Sequence, residues 1–327
     1  MDDLRWFASD LYTALIVPEL RRLGLSIATE GERPARLAVA MSGHTAVRGW
    51  RFARRRGARL LLYLWDLPPG GMGRGRPDPV WWVAGRFLRI PRPWGGYGRG
   101  GYFSRLYYIA RRAEAVWVPS RMTQESVAER FGVHALQVPY CYDSDRFVPA
   151  DASAREAVTD ALPTLLTVSR LRRHKNQAAV LHAAALMERP VRVRLIGRGP
   201  RQANLEALAS QAGVPCTIES AADDLTVARA YHDAAVVVCP SRFEGFGLTP
   251  IEGVASGVPV VASDIPPHRE FVGRAARLVP PDDPVALARA ITEALDARPA
   301  DPALVADLTI QAAAARFLAS LQRLLSE

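Results

Sequence analysis

Two glutamates eight residues apart, Glu244 and Glu252, sit in the stretch SRFEGFGLTPIEGVA at residues 241–255. Gly245 and Gly247 bracket Phe246, and residues without a Cβ let the backbone come close to a ligand. The spacing predicts a helix over about 250–255, with Thr249 as N-cap, Pro250 in the first helical position and Glu252 closing a Thr-x-x-Glu capping box. The N–H groups of such a terminus favour an anion. An anion there repels both carboxylates, so each must point at something else, and sugar hydroxyls are suitable donors. These residues suggest a ligand with both phosphate and sugar. The plainer reading is a capped helix on an α/β sheet, with Glu252 only closing its box.

The elements around this stretch must hold it still. Apolar runs at 236–238 and 258–262 read as buried parallel strands, which makes a β-loop-α-β unit. Upstream, 164–169 reads as a strand running into the basic turn RLRRHKN, and 191–200 as a strand ending in a Gly-x-Gly turn at Gly197 and Gly199. Helices are expected at 201–212 and 225–233, with a strand around 216–218. Residues 264–273 read as a loop whose His268 is a surface residue. A turn and an amphipathic helix come next, and then a terminal helix over about 302–325.

The first half shows the same alternation. Residues 3–23 read as an amphipathic helix with Pro18 as a kink, 25–28 and 36–41 as strands, 45–56 as a helix and 59–65 as a strand. Residues 68–108 are rich in Gly, Pro, Arg, Trp and Tyr and too long for an ordinary connection. They suit either a surface insertion or a loop contacting an acceptor or anionic headgroups. Residues 111–133 read as strand, turn and helix, with Ser120 as cap.

Composition bounds the rest. The chain has 327 residues, enough for two domains, and its 49% apolar content is that of a folded protein. No uninterrupted apolar run approaches the roughly 18 residues that would cross a bilayer. The acidic start precedes no signal-type apolar segment. Cys141, Cys216 and Cys239 lack metal-type spacing and read as reduced core thiols, which implies a cytoplasmic setting. Residues 1–150 carry a net charge of +10 and all seven tryptophans, whereas 151–327 carry −1. This asymmetry implies two domains with different partners. Of the 42 basic residues 41 are Arg, and Lys175 is the single lysine. A lone lysine can mark a place for a compact ammonium; chance accounts for it as well.

PSRFEGFGLTPIEGVASGVPVVAS resembles the donor-site signature of retaining glycosyltransferases of family 4, with the Glu-x7-Glu pair intact. The resemblance is strong over 105–325 and partial before that. It implies a GT-B fold, two Rossmann-like doubly wound parallel-sheet domains facing across a cleft. The expected organisation is an acceptor-side domain at 1–150 with the insertion at 68–108, a donor domain at 151–308, and a terminal helix at 309–327 crossing back to the first domain. Family members usually begin with a strand and a glycine-rich loop, and the helix read at 3–23 makes this domain look abbreviated. VPYCYDSDRFVP stands where the family has Asn-Gly-Val-Asp-x-x-x-Phe: Asp143 and Phe147 fit and Tyr140-Cys141 departs. Glu270 falls where the family has a glutamate.

The implied reaction moves a hexose from a UDP- or GDP-linked donor to an acceptor hydroxyl with retention, in polysaccharide, glycolipid or metabolite glycosylation. By the resemblance Arg170 and Lys175 hold the diphosphate, where cations offset charge on the leaving group, and Glu252 takes the ribose hydroxyls. Glu244 and the backbone of Phe246, Gly247 and Leu248 position the sugar, with Gly197 and Thr249 nearby. No metal is expected, since no Asp-x-Asp falls in a donor position. On the acceptor side the candidates are Asp66, otherwise a turn former, and His44, otherwise a cap neighbour. The acceptor is a carbohydrate, a lipid-linked molecule or a small molecule, with peripheral membrane contact through the basic first domain and no nucleic-acid partner. A sugar-nucleotide epimerase and a non-catalytic GT-B partner are the alternatives. A pyridoxal-phosphate phosphorylase is disfavoured because the lone lysine is already placed in the diphosphate motif.

Overall fold

The computed structural model describes residues 4–7, 11–29, 35–41, 43–65, 99–150 and 162–326. The chain forms two compact units, one of Met1–Tyr140 with Ala313–Glu327 and one of Cys141–Ala312. Each contains one six-stranded parallel sheet. The expected α/β class holds in both.

The first unit runs β1 (Leu4–Phe7), α1 (Leu11–Arg22), β2 (Ile27–Ala28), β3 (Leu37–Ala40), α2 (Gly43–Arg56), β4 (Arg59–Tyr63), α3 (Arg99–Ala110), β5 (Ala115–Val118), α4 (Arg121–Phe131) and β6 (Leu136–Gln137). The strand order is β2-β1-β3-β4-β5-β6. This corrects the helix expected over 3–23: its first turn is a strand, and a sheet strand does open the domain. Leu4–Phe7 lies between β2 and β3, with Trp6 opposite Val39, and Leu4, Arg5 and Trp6 are buried. That slot needs backbone donors and acceptors on both sides, which a helix would have consumed internally. Pro18 is tolerated inside α1. Residues 99–108, read as part of a long insertion, form most of α3, whereas 66–98 and with them Asp66 lie outside the described residues. Ser120 caps α4 as its residue type implies, accepting from Thr123 N at 3.3 Å.

The second unit runs β7 (Thr164–Val168), a 3-10 turn (Arg173–Lys175), α5 (Gln177–Leu186), β8 (Arg192–Ile196), α6 (Gln202–Gln211), β9 (Cys216–Glu219), α7 (Asp224–Asp233), β10 (Val236–Cys239), α8 (Leu248–Ala255), β11 (Val260–Ser263), α9 (Pro266–Val272), β12 (Ala276–Val279) and α10 (Pro284–Leu295). Its order, β12-β11-β10-β7-β8-β9, is the dinucleotide-binding order of doubly wound sheets. Strands β7, β10 and β11 read as largely apolar runs because both faces are covered: Leu165, Val236, Val238 and Val261 share one core with Val180, Leu181 and Ile291 of the helices, and the alternate residues Leu166, Val237, Val260 and Ala262 are buried as well. The loop expected at 264–273 is largely α9, with Pro266 and Pro267 opening it, positions where a missing N–H breaks no helical bond. Strand β12 has no counterpart among the expected elements.

The terminal helix is in two pieces, a 3-10 helix at Pro302–Leu308 and α11 at Ile310–Ser326, parted at the extended Thr309. Pro302–Ser326 is long and apolar enough in composition to cross a membrane. Its Ala313, Ala314, Phe317 and Leu321 are nevertheless buried, with Phe317 ring to ring against Trp117 at 4.8 Å and Trp6 at 5.5 Å. Replacing Phe317 by Ala should cost the first unit about 3–5 kcal/mol. Urea unfolding followed by tryptophan emission checks this, because all seven tryptophans lie in residues 1–150.

Candidate functional site

Ligands of open α/β sheets bind outside the carboxyl ends of the strands, at the point where the strand order reverses. In the second unit that point lies between β7 and β10. Their adjacency is fixed by ladder pairing of Leu165 with Val236 and Leu166 with Val237, and by the buried Thr167 hydroxyl donating to Val238 O at 2.8 Å. Two loops leave the sheet side by side there: residues 169–176 after β7 and 240–247 after β10. These are the two stretches that carry the donor-site candidates.

The first loop is tied down at several points. The buried Gln177 amide donates to Ser169 Oγ at 2.8 Å and Arg170 O at 2.9 Å. Asn176 holds a left-handed backbone, φ 56°, and its side chain donates to Pro281 O at 2.7 Å. Such a backbone is uncommon outside glycine and most accessible to Asn and Asp. The anchored turn presents Lys175 inward, while Arg170 is exposed. Lys175 Nζ meets both carboxylate oxygens of Glu244, at 2.6 and 2.7 Å, with 19% and 18% of the two side chains accessible. The fold therefore brings together a cation and an acid 69 residues apart, and both still reach solvent.

Gly197 and Gly199 close on protein rather than on open space. A Cβ on Gly197, φ +141°, would lie 2.0 Å from Ser169 O. Their absent side chains let the end of β8 pack on the loop that carries Arg170, where Leu171 N bonds Arg198 O at 3.0 Å.

The second loop corrects the capping reading. The helix begins at Leu248, not Pro250, and its N-cap is Gly247 in a left-handed conformation, φ 94°, with no side-chain cap. The Thr249 hydroxyl donates instead to Val168 O at 2.8 Å, linking α8 to the end of β7. Glu252 forms no capping box, because Tyr231 takes it: the phenol donates to Glu252 Oε2 at 2.6 Å. Phe246 is buried against Phe271, centroids 4.4 Å apart, and Leu248 is partly buried.

Glu252 is partly buried, its carboxyl deep enough that desolvation pushes the pKa up to about 7; the Tyr231 hydrogen bond and the Arg146 charge pull against this, and Asp143 adds to it. Burial, then the nearby Glu252 charge, keeps the Tyr231 phenol protonated well above its usual range. Asp143 and Arg146 come from the segment that resembles the family's Asn-Gly-Val-Asp-x-x-x-Phe pattern, and Arg146 bridges Asp143 at 3.1 Å and Asp224 at 3.0 Å.

His268 is the largest departure from the sequence reading. It is 1% exposed, with Nδ1 2.8 Å from Ser263 O, and Nε2 is buried without a partner. Its pKa is lowered, chiefly by burial, against the Glu244 charge. A carbonyl partner requires Nδ1 to carry the proton. A Cβ on Gly247 would meet its ring at 2.9 Å, so the imidazole is the floor beneath the glycine loop. Tyr231 and His268 both escape sequence reasoning. The Pro-Pro pair before His268 is a usable helix-start signal; for Tyr231 no local signal exists.

On the first unit, His44 lies in the first turn of α2, directly after β3. It stands beside the corresponding reversal of strand order, between β1 and β3. Arg48, Arg51, Arg54 and Arg55 of that helix are exposed.

Residues 162–297 match the family model described as "Glycosyl transferases group 1". The chain is 31% identical over 217 residues to the GDP-mannose-dependent alpha-(1-6)-phosphatidylinositol monomannoside mannosyltransferase of Mycolicibacterium smegmatis, covering 60% of this chain and 56% of that protein. It is 34% identical over 218 residues to a D-inositol 3-phosphate glycosyltransferase of Corynebacterium urealyticum, covering 57% and 50%. The chain thus spans about half the length of the curated relatives it matches. Among solved structures, Anabaena HepE in complex with UDP and glucose superimposes with TM-score 0.72 at 15% identity, covering 98% of this chain and 99% of that one. A sucrose-phosphate synthase from Thermosynechococcus elongatus gives 0.67 at 23%, covering 89% and 74%. The fold is that of the GT-B proteins.

Gly247→Ala is expected to cost stability and function together, since it adds a Cβ against a buried imidazole at a backbone angle L residues avoid. Thermal unfolding of the second unit by calorimetry should fall by several degrees.

Proposed function

We propose, from the match of residues 162–297 to the glycosyl transferases group 1 family model, that the protein is a retaining hexosyltransferase that uses a UDP- or GDP-linked donor and needs no metal. One observation carries this reading: Lys175, Glu244 and Glu252 converge on the loops and helix at the strand-order reversal of the second sheet. In this reading Arg170 and Lys175 take the diphosphate and the N-terminus of α8 adds its dipole, which offsets the charge gathering on the leaving nucleotide. Lys175 exchanges the Glu244 carboxylate for phosphate oxygens as the donor enters, and Glu244 turns to a hydroxyl of the sugar. Glu252 accepts from the ribose hydroxyls. Retention is implied by the family resemblance of the glutamate pair. GDP-mannose is the first donor to try, given the relative named as dependent on it. On the acceptor side His44 and Asp66 are the candidates for contact with the incoming hydroxyl.

Calorimetric titration with UDP and GDP, with and without EDTA, tests this directly. Micromolar binding of one nucleotide, indifferent to EDTA, is expected. Lys175→Ala should lower kcat/KM by about 10²–10³-fold, the size of effect seen when one such electrostatic contact is removed. Unchanged turnover in that variant would sink the donor assignment. No nucleotide binding in the parent protein would favour a non-catalytic role, and donor turnover without an acceptor would favour an epimerase.

The raised pKa of Glu252 adds a pH signature. The ionised carboxylate is the better acceptor for ribose hydroxyls, so nucleotide affinity should rise from pH 6 to pH 8 with a midpoint near 7, by roughly tenfold at most. The sign for stability is opposite: the folded state favours the protonated acid, so this group's contribution is present below the ordinary carboxylate range and is lost as pH rises through about 7. Titrations at fixed ionic strength separate the two.

A further inference from the structure

A carboxylate that grips two neighbouring ribose hydroxyls must present its oxygens in one plane, and a glutamate has three torsions to lose before it does so. Glu252 carries this role in the proposed function. Resting on that reading, we propose that Tyr231 is the positioning residue that fixes the Glu252 carboxylate, engaging Oε2 so that the remaining acceptor positions face the ribose.

The geometry is specific. Tyr231 is fully buried on α7, and its ring lies edge-on to Phe147 with centroids 5.1 Å apart and planes at 73°. The phenol cannot swing away without opening that core. Its oxygen sits 2.6 Å from Glu252 Oε2, the length of a strong charge-assisted bond, whereas its next acceptor, Thr249 O, is at 3.5 Å. Because burial keeps the phenol protonated, it donates to the carboxylate and does not repel it as a phenolate would. The other charges acting on Glu252, Arg146 and Asp143, belong to the segment 143–147. Phe147 of that segment packs on Tyr231 itself, so one short stretch holds the donor and balances the charge.

The test is calorimetry on the full chain with UDP and GDP and with their 2′-deoxy counterparts. The parent protein should bind the ribonucleotide it prefers about tenfold more tightly than its 2′-deoxy form, the scale on which a site left with an unpaired polar group rejects a ligand. Tyr231→Phe should lose most of that preference, weakening the ribonucleotide severalfold and leaving the 2′-deoxy form nearly unchanged. In turnover assays KM for the donor should rise while kcat at saturation changes less than about twofold. A purely structural role would weaken both nucleotides alike. Tyr231→Gln, which keeps an N–H donor, should retain more of the preference and gives the same reading should the phenylalanine variant unfold. A parent protein that binds both forms alike would overturn the ribose role of Glu252 and this inference with it. Preference preserved in Tyr231→Phe, with the parent discriminating, would overturn this inference alone.

Discussion

The pairing of β7 with β10 is the constraint on which the site depends. These strands lie next to each other although Thr167 and Val238, which bond across them, are 71 residues apart in sequence. The order of strand addition reverses across that pair, since β8 and β9 are added on one side and β11 and β12 on the other. The connections therefore leave in opposite senses and open a crevice at the carboxyl ends. Only there do Lys175 and Glu244 meet. The buried bond from Thr167 to Val238 O and the bond from Thr249 to Val168 O hold the three elements in register, so the ion pair, the glycine loop and the first turn of α8 have fixed relative positions.

Charge is managed there by burial more than by pairing. The Glu252 carboxyl is withdrawn from water, its acidity weakened by desolvation and partly restored by one phenol and one guanidinium. Burial likewise favours the neutral form of His268 beneath the glycine loop. The lone ammonium, by contrast, is left partly accessible and engaged by a carboxylate. The site thus sets the Lys175–Glu244 pair, which still reaches solvent, over a floor in which burial suppresses charge.

Much of the second unit is legible in the sequence. Strands buried on both faces must be continuous apolar runs, and the runs at 164–169, 236–238 and 258–262 lie on β7, β10 and β11. Glycine pairs and the glutamate spacing mark the loop. Where the reading fails, local rules are outvoted by tertiary partners. Residues 4–7 have a helix-like pattern, yet the open slot between β2 and β3 takes them as a strand. Thr249 and Glu252 fit a capping box, but each finds a better partner across the fold, in Val168 O and the Tyr231 phenol. His268 reads as a surface residue because nothing in PPHRE reveals that α9 turns it toward the loop after β10.

The sequence by itself determined the fold class, the approximate position of most buried strands, and the glycine-bearing loop that follows β10. All of these depend on patterns within a few residues: apolar run length, turn residues, and the i to i+3 logic of helix ends. Only the tertiary structure decided which side chains meet. Lys175 found Glu244, Tyr231 found Glu252, and His268 came to lie under Gly247 through strand order and helix packing. Those contacts join residues 21 to 69 positions apart, a separation over which local propensity carries no information and the closing of the sheet decides.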